Sequence, residues 1–399
     1  MGFAKEQAMI IEKRGFDDID KYVCEDCIND PYLKNWIHNN GSTDICDYCG
    51  EEKVVVSMTD LMTNVIMPTF RKYYDYAVEW LGWESAEGGY QGITYDNEEI
   101  VTDFSDDISS NMDVINDIIE SMHDKLWCKK DPYGLTDREK YEYSWESFSN
   151  LVKYKNRYFF LQEEDDKRYY EKYSPLSILN LIEENSKNLN LIKKLPQNTD
   201  LYRVRIFKKG QDIVLDGANL GSPPNELAKN DRMSSSGISV FYGSENKKTC
   251  IKEVLTSCLT VDDIVITGRF HNINEVSYLD LTEINKIQLP SIFDIDKYEL
   301  RETIIFLKKL NIELSRPIKE LEQIEYVPTQ IFAEYFKLVA KLQGIRYNSS
   351  KDTNGSCFVL FFNNEQCIID DNKQVFDKKC ELKLIDTSKY KLTLQKNNL

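Results

Sequence analysis

From Ser57 onward apolar side chains recur every three or four positions, and Met58, Leu61, Met62, Val65 and Ile66 form one stripe that runs up to Pro68. That spacing predicts a helix with one buried face. Proline has no backbone N–H to donate, so Pro68 either closes this helix or opens the next, "PTFRKYYDYAVEWL", which stops at Gly82. Beyond the loop "ESAEGGYQG", the residues Ile108, Met112, Ile115, Ile119, Met122 and Leu126 resume the three-to-four spacing. Nine acids and no Lys or Arg are interleaved with them between Tyr95 and Glu120, so one amphipathic helix with a solvated acidic face is expected. The Asx-Gly spacing of an EF-hand is absent, which argues against a Ca2+ loop. The acidic face suits contact with a basic partner.

Helix-like, charged sequence continues from 136 to 195 and ends in "SPLSILNLIEENSKNLNLIKKL", with Pro175 near its start. The pattern turns β-like at "DLYRVRIF", which places a boundary near Gln197. No internal repeat is visible.

Ahead of the helices, "CEDCINDPYLKNWIHNNGSTDICDYCG" reads Cys24-x2-Cys27, eighteen residues, then Cys46-x2-Cys49. Each C-x-x-C lets two thiolates bite one tetrahedral ion, and a spacer of about 15–20 residues brings the second pair round to complete the shell. Gly50 suits the tight knuckle turn that follows. Four thiolates leave no open coordination position, so the implied Zn2+ is structural and supplies folding free energy to a segment too small for its own core. His38, between the knuckles, reads as a packing or loop residue.

Zinc ribbons often bind nucleic acid, but residues 1 to 60 hold 6 Lys+Arg against 13 Asp+Glu, and the whole chain carries a formal net charge of −17. Phosphate backbones and anionic lipid surfaces are both repelled by that field, so a nucleic-acid partner is not expected. A protein-contact or self-associating module, with homo-oligomer formation, fits better. No apolar run nears the ~20 residues of a membrane span, the longest being "CFVLFF" at 357 to 362. The N-terminus lacks a signal-peptide apolar core, and Glu6 stands where a myristoylation motif needs Ser or Thr. A cytoplasmic protein is expected. Its six remaining cysteines, 128, 250, 258, 357, 367 and 380, sit in apolar settings and read as reduced, buried thiols.

With 399 residues, of which 41% are hydrophobic and 29% charged, the chain has material for two or three folded domains. The division expected is a four-cysteine zinc ribbon at 1–56, a helical domain of regulatory or interaction type at 57–196, and a mixed α/β domain at 197–399. The fold class is therefore α+β and multidomain.

In the C-terminal part, "LYRVRIF" is followed by a loop with "GSPPNELAKNDRMSSSG", a strand "ISVFYG", and a helix beginning near Ser244, a good N-cap residue, with Glu245 in its first turn. On a helical wheel Ile251, Val254, Leu255 and Cys258 share a face, and Glu253 points the opposite way. Periodicity alone makes Glu253 a solvated residue. Singly, Arg232 reads as a loop arginine and Tyr242 as the tyrosine ending a half-buried strand.

Jointly they say more. "RMSSSGISVFYGS" and "KEV", together with "VPTQIFAEYF" and "GIRYNSS", closely resemble the RES domain family over roughly residues 198 to 385. Arg232, Gly237, Tyr242, Glu253, Gln330 and Ser349 carry the match, and Arg203 in "LYRVR" corresponds to another family arginine. The ribbon and helices ahead of it resemble the segment that precedes some bacterial RES domains. Met233 stands where an aromatic is frequent, a departure that bears on the shape of a nicotinamide pocket.

The resemblance implies a fold similar to ADP-ribosyltransferases and a toxin that degrades NAD+, restrained by an antitoxin or awaiting a trigger protein. It assigns catalytic roles to Arg232, Tyr242, Glu253 and Ser349 and substrate binding to Arg203, Arg232 and Tyr242. The residue types suit that chemistry. Cleaving the nicotinamide–ribose bond passes through an oxocarbenium-like state, which a carboxylate stabilises as positive charge develops. Arginine offers a planar fork of donors to a pyrophosphate or carboxamide. Tyrosine supplies a stacking face and a hydroxyl, and serine a small donor. Nicotinamide leaves as a neutral molecule, so no catalytic metal is needed, and His271, outside the motif, reads as structural. Hydrolysis, phosphorolysis and transfer to a protein side chain all remain open. A different class, a catalytically silent zinc-dependent interaction module, is disfavoured by the intact set of arginine, tyrosine, glutamate and serine.

Overall fold

The computed structural model describes residues 3–86, 88–160, 173–255, 263–316, 320–367 and 380–390. It divides into two compact units, Met1–Asp137 with Leu289–Glu302, and Arg138–Gln288 with Thr303–Leu399.

In the first unit the strands Tyr22–Cys24 and Ser42–Ile45 flank Glu52–Ser57 in an antiparallel sheet. The helix Pro31–Asn40 bridges two of them, capped by the Asp30 carboxylate, which accepts from the Tyr32 and Leu33 N–H groups. The stripe Met58, Leu61, Met62, Val65 and Ile66 is buried as its spacing predicts. Pro68 does not interrupt the helical path: Met58–Leu61 passes through a π turn at Met62–Ile66 into Met67–Tyr73. A wide turn there accommodates the ring and the missing donor. The helix stops at Tyr73, short of Gly82, because Tyr74–Tyr76 pairs as a strand with Trp127–Lys129.

The acidic stretch is two helices rather than one, Asn97–Ile108 and Met112–Ser121. Asp96 and Glu99 close the first with a capping box, Ser109 turns extended, and the Asn111 side chain caps the second. Short polar side chains offer the backbone this alternative to a continuous helix. Met112 consequently leaves the stripe and is exposed, while Ile108, Ile115 and Met122 stay buried. Eight of the nine acids are exposed. Asp117, half-buried, accepts from the Lys21 ammonium at 2.6 Å and the Tyr48 hydroxyl at 2.7 Å.

The second unit contains two sheets. One has five strands in the order Phe241–Gly243, Ser356–Leu360, Gly344–Asn348, Val276–Asp280, Ile192–Leu195, antiparallel except for the parallel pair Val276–Asp280 and Gly344–Asn348. The other sets Asp263–Asn272 between Leu382–Tyr390 and Asp200–Lys208, all antiparallel. Composition becomes β-like at Gln197, yet the core of this unit is closed by helices that come before it. Trp145 and Phe148 from Asp137–Tyr154, and Ile178 and Ile182 from Pro175–Asn188, pack with Phe306, Phe332, Phe336, Ile345 and Val359. On the other face of the five-stranded sheet Phe241, Phe358 and Leu360 meet Ile266 and Phe270. A sheet buried on both faces needs near-continuous apolar strands, which is what "CFVLFF" supplies.

Cys128, Cys250, Cys357 and Cys367 are buried free thiols and Cys380 is half-buried. Cys258 and residues 161–172 lie outside the described residues. Among the described residues no helix is long and apolar enough to cross a membrane.

Candidate functional site

Strand register sets Tyr242 beside Val359 and Tyr347 beside Cys357. Side chains alternate across a sheet, so Tyr242, Val359, Cys357 and Tyr347 share one face. A cleft of about 330 Å3 is lined by Arg203, Arg232, Tyr242, Glu253, Tyr347 and Cys357, with Asp231, Cys250 and Tyr326 also on its wall. Ser349 joins through its hydroxyl, which donates to Glu253 Oε1. The five residues to which the resemblance assigns catalytic or binding roles therefore converge, although up to 146 positions separate them.

Arg203 stands on the strand Asp200–Lys208 with only 9% of its surface exposed. Its Nη1 donates to the Tyr242 carbonyl at 2.8 Å, its guanidinium lies 5.4 Å from the Phe241 ring centre, and its buried Nε has no partner among the described residues. Burial holds its pKa below the ordinary arginine value. Arg232 is half-buried, lies 5.6 Å from the Tyr347 ring centre, and donates from Nη2 to the Arg316 carbonyl at 3.1 Å.

The loop that carries Arg232 is held from behind. Gln330 donates through Nε2 to Asn230 Oδ1 and to the Asp231 carbonyl, each at 2.8 Å, and accepts from the Ser235 hydroxyl at 3.1 Å. Thr329 donates to the Arg232 carbonyl. Gly237 closes the loop at φ +85°, a conformation that favours glycine, with its N–H on the Ala228 carbonyl at 3.0 Å. Tyr242 contributes from the cleft side: its hydroxyl accepts the Met233 N–H at 3.1 Å and meets the Ser234 hydroxyl at 3.2 Å. That hydroxyl is already engaged, and burial raises its pKa.

Glu253 sits in the helix Lys247–Val254, capped by Asn246 rather than Ser244. Ser244 is instead turned inward, donating to the Ser356 carbonyl at 2.7 Å. Helical periodicity left Glu253 in solvent, whereas the structure half-buries it in the cleft. The reason is non-local. The turn after Gly344–Asn348 is tied to this helix by Asp352, which accepts from Thr249 at 2.7 Å and Lys252 at 2.8 Å, and that clasp brings Ser349 onto the carboxylate. Cys357 Sγ lies 3.8 Å from the same Oε1.

Met233 is 2% exposed and packs in the core, so the departure from the family pattern lies behind the cleft and not on its wall. His271 bonds to Asp200 Oδ1 at 2.6 Å at the strand end, as a structural histidine would. The "GSPPN" turn does not line the cleft; Ser222 donates to the Phe362 carbonyl at 2.7 Å. Tyr347, Cys357, Cys250 and Asp231 were not singled out from sequence. For Tyr347 a signal existed, since it stands two residues before Ser349 in "GIRYNSS".

In the first unit Cys24, Cys27, Cys46 and Cys49 place all four Sγ atoms within 4.8 Å of one another. The neighbouring pairs are 3.8 Å (Cys24–Cys27), 3.7 Å (Cys24–Cys49) and 3.8 Å (Cys27–Cys46) apart. A tetrahedron with metal–sulfur bonds of about 2.3 Å has edges of about 3.8 Å, so the donor set fits Zn2+. His38 is exposed and stands outside the cluster, 3.8 Å from Glu25.

Comparison with known families matches residues 200–383 to the RES domain and residues 39–166 to the HEPN/RES N-terminal domain 1. The chain thus carries a RES domain preceded by an HEPN/RES N-terminal domain. The N-terminal match includes Cys46 and Cys49 but starts after Cys24 and Cys27. No curated protein matches the chain. Among solved structures, a chain from the crystal structure of the M. tuberculosis MbcT–MbcA toxin–antitoxin complex is similar over 52% of this chain and 91% of its own, at 11% identity and a TM-score of 0.29.

Proposed function

We propose that the RES domain cleaves the nicotinamide–ribose bond of NAD+ and that the protein acts as a toxin or defence effector through loss of NAD+. The observation that carries this reading is the convergence of Arg203, Arg232, Tyr242 and Glu253 on one cleft, with Ser349 bonded to Glu253. In this reading the two arginines hold the dinucleotide through its phosphates or carboxamide. Tyr242 offers its ring face for stacking, and its hydroxyl keeps the Arg232 loop in place. Glu253 stands against the anomeric carbon, and its charge stabilises the developing oxocarbenium ion. Ser349 orients that carboxylate.

Such an activity calls for restraint by an antitoxin partner or by the N-terminal half, and for a cytoplasmic location where NAD+ is found. Cys24, Cys27, Cys46 and Cys49 would hold a structural Zn2+, which supplies folding free energy to the ribbon. The test is NAD+ consumption by purified protein with product identification, wild type against Glu253→Ala. Nicotinamide release that disappears in the variant supports the reading, and the companion product, ADP-ribose or its phosphorylated form, names the acceptor. Absence of nicotinamide release by the wild type, with its partner removed and its zinc content confirmed, overturns it.

A further inference from the structure

The cleft contains three tyrosines, Tyr242, Tyr326 and Tyr347, and of the two that stand on the five-stranded sheet only one has a hydroxyl already in use. Tyr242 gives its oxygen to Met233 and Ser234. Tyr347 has no hydrogen-bond partner among the described residues, although the residue is only 8% exposed. Its oxygen is not among the fully enclosed side-chain atoms that lack a partner, so it can be reached from the cleft that the residue lines. The ring is pinned between the Arg232 guanidinium and the sheet, where it neighbours Cys357. Tyr347 lines the cleft together with Cys357, Tyr242, Arg232 and Glu253, and burial raises the pKa of its hydroxyl well above the ordinary tyrosine value. A phenol in such surroundings stays protonated, so it is a donor in search of an acceptor.

We propose that Tyr347 contacts the substrate, its hydroxyl donating a hydrogen bond to a hydroxyl oxygen of the nicotinamide ribose beside Glu253. This rests on the NAD+-cleaving reading. The division of labour follows from the sheet. Tyr242 and Tyr347 lie on strands either side of Ser356–Leu360 and face the same way, one holding the arginine loop and the other left for the ligand. Phenylalanine would fill the same volume and keep the arginine over the ring, so the hydroxyl is the part that this inference explains.

The experiment compares wild type with Tyr347→Phe in NAD+ turnover, using NAD+ analogues that lack the 2′- or the 3′-hydroxyl of the nicotinamide ribose as competitors. Loss of one hydrogen bond to a ligand should lower kcat/KM for NAD+ about tenfold. The thermal midpoint should not fall, because no protein partner is lost. The inhibition constant of one of the two deoxy analogues should change less than twofold between the proteins, because the acceptor is already missing. Equal kcat/KM in the two proteins overturns the inference. So does an equal weakening of NAD+ and both analogues, and a fall in thermal midpoint that accounts for lost activity would mark a packing role instead. Failure of the wild type to release nicotinamide overturns the parent reading by itself and this one with it, an outcome separate from any seen only in the variant.

Discussion

Ser349 holds Glu253 from one side only: its hydroxyl donates to Glu253 Oε1 while accepting the N–H groups of Lys351 at 3.1 Å and Asp352 at 2.9 Å. With both acceptor positions of the hydroxyl filled by the turn, its single hydrogen has one direction to take. The serine therefore fixes one carboxylate oxygen and leaves Oε2 for a ligand. Ser349→Ala should lower NAD+ turnover about tenfold, from the loss of one hydrogen bond to a charged group. Steady-state kinetics check this, with the loss expected mainly in kcat.

Gln330 acts at a distance from the cleft. It is 4% exposed and holds Asn230, Asp231 and Ser235 at once. Gln330→Ala strips these partners from a loop that carries Arg232, and it should cost about 1–3 kcal/mol of stability. Denaturant unfolding measures that cost. The accompanying kinetic change should be a rise in KM, because the arginine is misplaced while Glu253 is untouched.

The four-cysteine cluster predicts about one Zn2+ per chain by elemental analysis, lost in Cys46→Ser. The strands Tyr22–Cys24, Ser42–Ile45 and Glu52–Ser57 bury few large side chains of their own, so metal removal should lower the first thermal transition. Retention of NAD+ turnover after chelation is the outcome expected of a closed, structural shell.

Burial pushes the Cys250 thiol up to about 11 from its ordinary 9.0. In the folded protein at pH 8 it should resist iodoacetamide while the unfolded chain reacts fully, as mass spectrometry of the labelled peptide would record. The fold favours the protonated thiol, so its contribution to stability is present below about pH 9 and falls as pH climbs towards 11. Cys250→Ala should flatten that part of the stability profile. A slope unchanged by the substitution would assign it to other groups.

Local pattern was sufficient where local chemistry decides. The Met58 stripe is buried because its spacing matches one helical turn, and the two C-x-x-C pairs come together because each knuckle needs only its own turn. It was misleading where a short polar residue sits inside an apolar rhythm. Ser109 and Asn111 split the acidic helix, and Met112 moved from the stripe to the surface. Asn246 took the cap expected of Ser244, whose hydroxyl found a better partner at Ser356, 112 residues away.

By itself, then, the sequence determined the zinc-type cysteine spacing, the mixed α and β character, the apolar strands of a sheet buried on both faces, and the identities of the arginines, tyrosine, glutamate and serine. Tertiary structure alone decided which way those side chains work. Glu253 lies on the polar side of its helix, and only the Asp352 clasp turns that side into a cleft wall. Tyr242 and Tyr347 are alike in type and in strand context, and only the course of the 230–235 loop engages the hydroxyl of one and leaves the other's free among the described residues. The physical reason is that helical and strand periods are set by neighbours along the chain, whereas a side chain's partners are set by strand order and register, which join positions a hundred residues apart.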